Sequence, residues 1–214
     1  MIAGRRIILK KKLIIAAIVV ALFIVGIAVF AATSIFNLFN IGISPLEKAD
    51  GKEQTGRRLE VSFSYDKQLM VASSQYAIWV EDMGGNYVDT LYVTRYTAQE
   101  GYHRRPKSIP QWVSVANPAE MQPLEIDVIS GATPRSGAYR VFWDFTDRSG
   151  NLVTGDEYRY FFEATMYNDD DVMYSGVISI GNDEWEQFPI PEYSVPNSEY
   201  KAMIENVRVA YYPD

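Results

Sequence analysis

In a chain of 214 residues, the stretch Asp127-Val128-Ile129-Ser130-Gly131-Ala132-Thr133 holds the residue types from which a covalent attachment point is built. It ends on a hydroxyl, preceded by two very small residues. Two readings stand. Ser130 to Thr133 is an attachment site that carries a cofactor, or it is a loop between two strands, since Gly, Pro and Ser gather in loops for turn geometry alone. Other chemistry is scarce. The single histidine, His103, sits in Tyr102-His103-Arg104-Arg105-Pro106, where two guanidiniums oppose a bound cation or a protonated imidazole. No Gly-x-Ser-x-Gly elbow accompanies it, so a Ser-His-Asp hydrolase is disfavoured. Asn168 to Asp171 offers oxygens to Ca²⁺ but lacks EF-hand spacing, and a solvated loop tip accounts for it.

The elements around the stretch are short runs rich in Val, Tyr, Phe, Trp and Thr. Leu59 to Tyr65 alternates as a half-buried strand does, and Gln75 to Asp82 turns at Gly84-Gly85-Asn86 into Tyr87 to Tyr96, a hairpin pattern. The Pro-rich segment from Thr97 to Pro123 predicts a long ordered loop, with a short helix possible at Asn117 to Met121. Leu124 to Ile129 predicts a strand. Ala138 to Asp147 and Glu157 to Tyr167, with a turn at Arg148 to Asn151, predict a second hairpin. Tyr139, Val141 and Trp143 share one face. Strands follow after Asp171 and at Val207 to Pro213, with a short helix possible from Asn197. The pattern is that of an antiparallel β-sandwich.

Ahead of the strands, residues 13–32 carry no charge and would make a helix of about 30 Å, enough to cross a bilayer. Arg5, Arg6, Lys10, Lys11 and Lys12 precede this span and keep the N-terminus cytoplasmic under the positive-inside rule. The expected division is a basic cytoplasmic tail at 1–12, a single-pass anchor at 13–32, a juxtamembrane segment and linker at 33–58, and an extracytoplasmic domain at 59–214. Beyond the tail, 15 basic residues face 27 acidic ones, a net charge of about −12. Such a surface does not suit nucleic acid, which needs clustered Lys and Arg. The absence of cysteine excludes disulfides, thiolate zinc sites, Cys-ligated iron-sulfur clusters and c-type haem attachment.

Gly137-Ala138-Tyr139-Arg140-Val141-Phe142-Trp143-Asp144, with Thr146-Asp147-Arg148-Ser149-Gly150 and then Gly155 and Tyr158, resembles the pattern of immunoglobulin-like (Ig-like) domains in the flagellar hook-capping family. A wider resemblance, from about Gln75 to Tyr211, is to an uncharacterised family of predicted bacterial periplasmic proteins. It rests on residues 79–82, 84–94, 105–112, 130–144 and 146–153. That resemblance implies a place in extracytoplasmic redox or iron-uptake systems. Asp127 to Thr133 is similar to the D-x-x-[ST]-G-A-T motif of FMN-carrying subunits of Rnf complexes and of the sodium-pumping NADH:quinone oxidoreductase. It implies FMN joined to Thr133 through a phosphoester, with Gly131 and Ala132 leaving room for a flavin transferase and for the ring. Pro134 would hold Thr133 extended, with its hydroxyl outward.

The expected protein is therefore mainly β, a single N-terminal transmembrane helix followed by an Ig-like antiparallel β-sandwich. The expected function is a membrane-anchored electron-transfer component with covalent FMN on Thr133 and Asp127, Ser130, Gly131 and Ala132 around it. Other membrane redox subunits and a flavin transferase would be its partners. The alternative is a cofactor-free Ig-like structural or interaction module whose contact surface is the Tyr102 to Trp112 loop.

Overall fold

The computed structural model describes residues 46–48, 55–67, 74–167 and 170–214. The expected tail at 1–12 and anchor at 13–32 lie outside these residues, as does most of the segment 33–58. Among the described residues, no helix is long and apolar enough to cross a membrane.

The described chain is mainly β and forms two sheets. In β2 (Arg58–Tyr65) every second side chain, Leu59, Val61, Phe63 and Tyr65, is buried, the period of a strand with one face on a core. It pairs with β6 (Gly137–Trp143) and with β11 (Ile204–Tyr212). The short strands β1 (Glu47–Lys48) and β9 (Trp185–Gln187) close the edges of this first sheet, in the order β1-β6-β2-β11-β9. The second sheet has the order β10-β8-β7-β3-β4-β5. Its members are β3 (Gln75–Asp82), β4 (Tyr87–Thr94), β5 (Ser130–Gly131), β7 (Glu157–Tyr167), β8 (Asp170–Ser179) and β10 (Glu192–Tyr193). All pairings are antiparallel except β4 with β5.

The sheets meet through an aromatic core. Phe63 of the first sheet packs edge-on against Phe162 of the second at 4.8 Å and against Tyr76 at 5.7 Å, within the range where aromatic pairs attract beyond simple burial. The expected hairpin of β3 and β4 is present, closed by Asp82, whose carboxylate accepts the N–H groups of Gly84 and Asn86.

Five expectations require correction. Ala138–Asp147 and Glu157–Tyr167 are not a hairpin, because β6 lies in one sheet and β7 in the other. The tight turn does form: the Asp147 carboxylate accepts the Ser149 and Asn151 N–H groups, and Thr146 bridges Leu152. Phe145, however, is buried in the left-handed region at φ 63°, which breaks the strand, and Arg148 N–H docks the turn onto the Val88 carbonyl of β4. The chain then crosses to the other sheet.

Leu124 to Ile129 is helical rather than extended, within a helix over Pro123–Ile129. Pro123 opens it, and the Glu125 carboxylate reaches back to the Gln122 N–H at 2.6 Å, a capping interaction worth more here than the β-forming tendency of Ile and Val. The Pro-rich loop is a third layer of short helical pieces: Thr97–Gly101, α1 (Tyr102–Arg104), α2 (Pro110–Ala116), the turn Pro118–Glu120, and α3 (Pro123–Ile129). Glu47 and Lys48, expected in a linker, pair with Arg140 and Tyr139. The helix expected from Asn197 is only the turn Lys201–Met203.

This third layer covers the outer face of the second sheet. Ala77, Trp79 and Val93 pack there with Ala98, Ile109, Trp112, Ala116 and Met121 in a second apolar cluster. Both faces of β3 are thus covered, and Gln75 to Glu81 are all buried.

Candidate functional site

The Asp127 to Thr133 stretch runs from the third layer into β5, at the edge of the second sheet, and on towards β6 of the first. Asp127, on the exposed side of α3, accepts a long hydrogen bond from Gln99 at 3.4 Å. Ser130 and Gly131 form β5 and are buried, lying parallel to Val93 and Thr94. The Ser130 Oγ is buried and has no hydrogen-bond partner among the described residues. Ala132 is exposed, and its carbonyl accepts the Tyr92 hydroxyl at 3.0 Å. Thr133 is half-buried in irregular chain, and its hydroxyl faces the Ser74 carbonyl at 3.5 Å instead of turning fully outward. A contact of that length is at the limit of hydrogen bonding, so it leaves the hydroxyl nearly unspent.

Beyond Thr133 the loop is tied to the fold. Tyr139 donates its hydroxyl to the Arg135 carbonyl at 2.8 Å, and Ser136 donates to Asp66 and accepts the Lys67 N–H, both at 2.9 Å. A cleft of about 800 Å³ opens at Pro134, with Lys48, Arg135, Ser136 and Tyr139 in its walls. Two cations and a phenol ring therefore stand next to the residue after Thr133.

A buried polar network behind the loop was not anticipated from sequence. Thr94 and Thr97 both donate to Gln75 Oε1, at 2.8 and 2.9 Å, while Gln75 Nε2 donates to the Ser74 carbonyl. Tyr65 and Ser74 share a hydroxyl contact at 2.6 Å, and burial raises the Tyr65 pKa. The network fixes the carbonyl that Thr133 faces. The signal for it was Gln75 at the head of a strand with no polar alternation.

A second cleft, of about 580 Å³, lies between β4, α3 and the turn after β6. Asp89 stands in it, half-buried, its carboxyl raised to about 7 by burial and by the nearby carboxylates of Asp144 and Asp147. At the mouth Arg148 and Glu125 form an ion pair at 2.9 Å, and hydrogen bonds from Arg148 and from the Gln122 N–H hold the Glu125 carboxyl below its ordinary range.

His103 is exposed on α1. Among the described residues no group of three or more His, Asp or Glu is arranged to hold a metal ion. Asn168 and Asp169 of the acidic loop lie outside the described residues.

The architecture is thus a two-sheet β protein with a helical cover on one face. Residues 57–191 match the family described as predicted periplasmic protein (DUF2271), and the chain belongs to that family. The match runs from the start of β2 to the approach of β10 and includes the helical cover and the Ser130 to Thr133 stretch. It supports an extracytoplasmic domain. No curated protein and no solved structure matches the chain.

Proposed function

We propose that this chain is a membrane-anchored extracytoplasmic component of an electron-transfer system, with residues 13–32 as its single-pass anchor and FMN joined to Thr133 by a phosphoester. The observation that carries this reading is the setting of Thr133. Its hydroxyl is half-buried, spends only a 3.5 Å contact on the Ser74 carbonyl, and stands one residue from a cleft bearing Lys48 and Arg135. Those two cations fit the negative charge of a phosphodiester. Tyr139 supplies a ring at the wall of the same cleft, and the small residues Gly131 and Ala132 leave the approach to Thr133 uncrowded. When bound, FMN supplies the electron-carrying chemistry. The protein's own residues anchor the phosphate, hold the loop by the Ser136 and Tyr139 hydrogen bonds, and offer the group to a redox partner subunit. A flavin transferase is the partner that would load it.

The second reading is a cofactor-free Ig-like module of an envelope assembly. It draws on the same Ser136 and Tyr139 hydrogen bonds, which suffice to order the loop without a cofactor. Its contact surface would be narrower than the Tyr102 to Trp112 loop, because Ile109 and Trp112 are core residues.

The intact mass of the full chain from cells that possess the transferase separates the two. The carrier reading expects the added mass of a phosphoester-linked FMN on the Thr133 peptide, and its loss in Thr133→Ala. A mass equal to the bare polypeptide overturns it in favour of the module.

A further inference from the structure

The cleft beside Asp89 is distant from Thr133. The Thr133 hydroxyl faces Ser74, whereas Asp89 pairs with Val80, six residues further along, which at ~3.3 Å per residue is about 20 Å away. It is therefore a separate site, and its volume of about 580 Å³ falls within the range of small-molecule pockets.

Its walls are apolar. Leu91, Met121 and Phe142 form the inner part, and Leu124 and Val128 of α3 stand at the mouth, 75% and 62% exposed. Two large aliphatic side chains on one helix, open to water at the lip of a cleft, are surface that an occupant would cover.

The charges decide what kind of occupant. Four carboxylates, Asp89, Glu125, Asp144 and Asp147, line the cleft against one guanidinium, Arg148. Three of the four are already satisfied. Asp147 holds the Ser149 and Asn151 N–H groups, Asp144 holds the Thr146 N–H and hydroxyl, and Glu125 holds Arg148 and the Gln122 N–H. Asp89 differs. Its carboxylate accepts the N–H of the next residue, Thr90, at 2.8 Å, and the group is half-buried among apolar walls. The one cation lining the cleft, Arg148, is engaged by Glu125. An anionic ligand would meet four carboxylates, and a neutral apolar one would deepen the desolvation of Asp89, whose nearby cation, Arg148, is already paired with Glu125.

We propose that this cleft binds a small organic cation with an apolar body, its ammonium group against the Asp89 carboxylate and its apolar part against Leu91, Met121 and Phe142 beneath Leu124 and Val128. The raised pKa of Asp89 agrees with this, since burial deprives its carboxylate of solvation and a nearby cation would favour the charged form.

Calorimetric titration of the full chain at pH 8 with naphthylmethylammonium, and with naphthylacetate as the anion of similar shape, tests the proposal. Saturable binding of the ammonium compound is expected, weakened about tenfold or more by Asp89→Asn, with no saturable binding of the carboxylate. The amide oxygen introduced by Asp89→Asn can still accept the Thr90 N–H, so the turn is retained, and a melting curve checks the fold. Val128→Lys, at an exposed position, serves as a second variant that places a positive charge at the mouth and should lower the ammonium affinity several-fold. The proposal is overturned if the ammonium compound does not bind, if naphthylacetate binds equally well, or if the folded variants bind the ammonium compound as the parent chain does.

Discussion

The backbone N–H of Trp112 donates to Oε2 of Glu163 at 2.9 Å, while the Gln111 N–H donates to Oε1 of the same carboxylate at 3.2 Å. A strand of the second sheet thus caps the first turn of α2 and fixes the helical cover to the sandwich. Glu163 is only 2% exposed. It is buried because the cover closes over the outer face of β7, where a strand facing solvent would carry a charged residue freely. The cover and the carboxylate therefore depend on each other.

Burial raises the Glu163 carboxyl from its ordinary 4.5 to about 7, against the lowering effect of the two N–H groups. Between these values the folded chain holds a proton that the unfolded chain has released. The stabilising contribution is complete below about 4.5 and is lost as pH rises to about 7. Asp89, also raised to about 7 by burial, acts with the same sign. Thermal midpoints are expected to fall from pH 5 to pH 8. Glu163→Gln should flatten that slope while costing about 1 kcal/mol at pH 5 through one lost N–H acceptor. An unchanged slope in the variant, by denaturant titration at both pH values, would reject Glu163 as the source.

Gly176 on β8 faces Tyr160 of β7, its partner in the ladder. A Cβ at position 176 would lie 2.5 Å from the Tyr160 hydroxyl and 2.7 Å from its ring. Tyr160 is 1% exposed and cannot swing away. Gly176→Ala should destabilise the domain by roughly 1–3 kcal/mol, as overpacking does. Gly181→Ala is the control, since a Cβ there meets nothing within 4 Å, and it should change stability by less than about 0.5 kcal/mol. Equal midpoints for the two variants would contradict this packing of Tyr160 on Gly176.

Strand by strand, the sandwich was legible where one face alone is buried. Leu59 to Tyr65 alternates because its other face is only partly covered, and Gly84-Gly85-Asn86 marks the turn between β3 and β4 by chemistry that few sequences share. The helical cover was not legible, because α2 and α3 have only seven residues each and both begin on a proline, so neither shows a helical period. The continuous apolar run Tyr76 to Val80, without the alternation of a one-faced strand, was the available sign that something lay on the outer face of β3. Pairing across sheets was hidden as well. The spacing of β6 and β7 suits a hairpin, and only the left-handed turn at Phe145, a residue type that rarely adopts it, redirects the chain. In the candidate site the order of Ser130 to Thr133 was visible, but of the Gln75, Thr94 and Thr97 network behind it only Gln75, an amide heading a strand without polar alternation, gave a sign, because the rest is assembled from other segments.

Ser130 presents the sharpest contrast within that site. Thr94, on the neighbouring strand β4, spends its hydroxyl fully: it donates to Gln75 at 2.8 Å and accepts the Tyr76 N–H at 3.2 Å. The Ser130 hydroxyl, 2% exposed as a residue, has no partner among the described residues. A buried hydroxyl without a hydrogen bond costs about 1–3 kcal/mol relative to its hydrated state, whereas a methyl group in the same space costs nothing of the kind. Ser130→Ala should therefore leave the domain as stable or raise its stability by about 1 kcal/mol, and Thr94→Val should lower it by a similar amount or more. Denaturant midpoints of the two variants measure both. Unchanged or raised stability in Ser130→Ala would show that folding does not require this hydroxyl, in accord with the attachment motif proposed above. If Ser130→Ala instead destabilises the domain by more than about 1 kcal/mol, the hydroxyl has a structural partner, and the residue gives no support to the attachment reading.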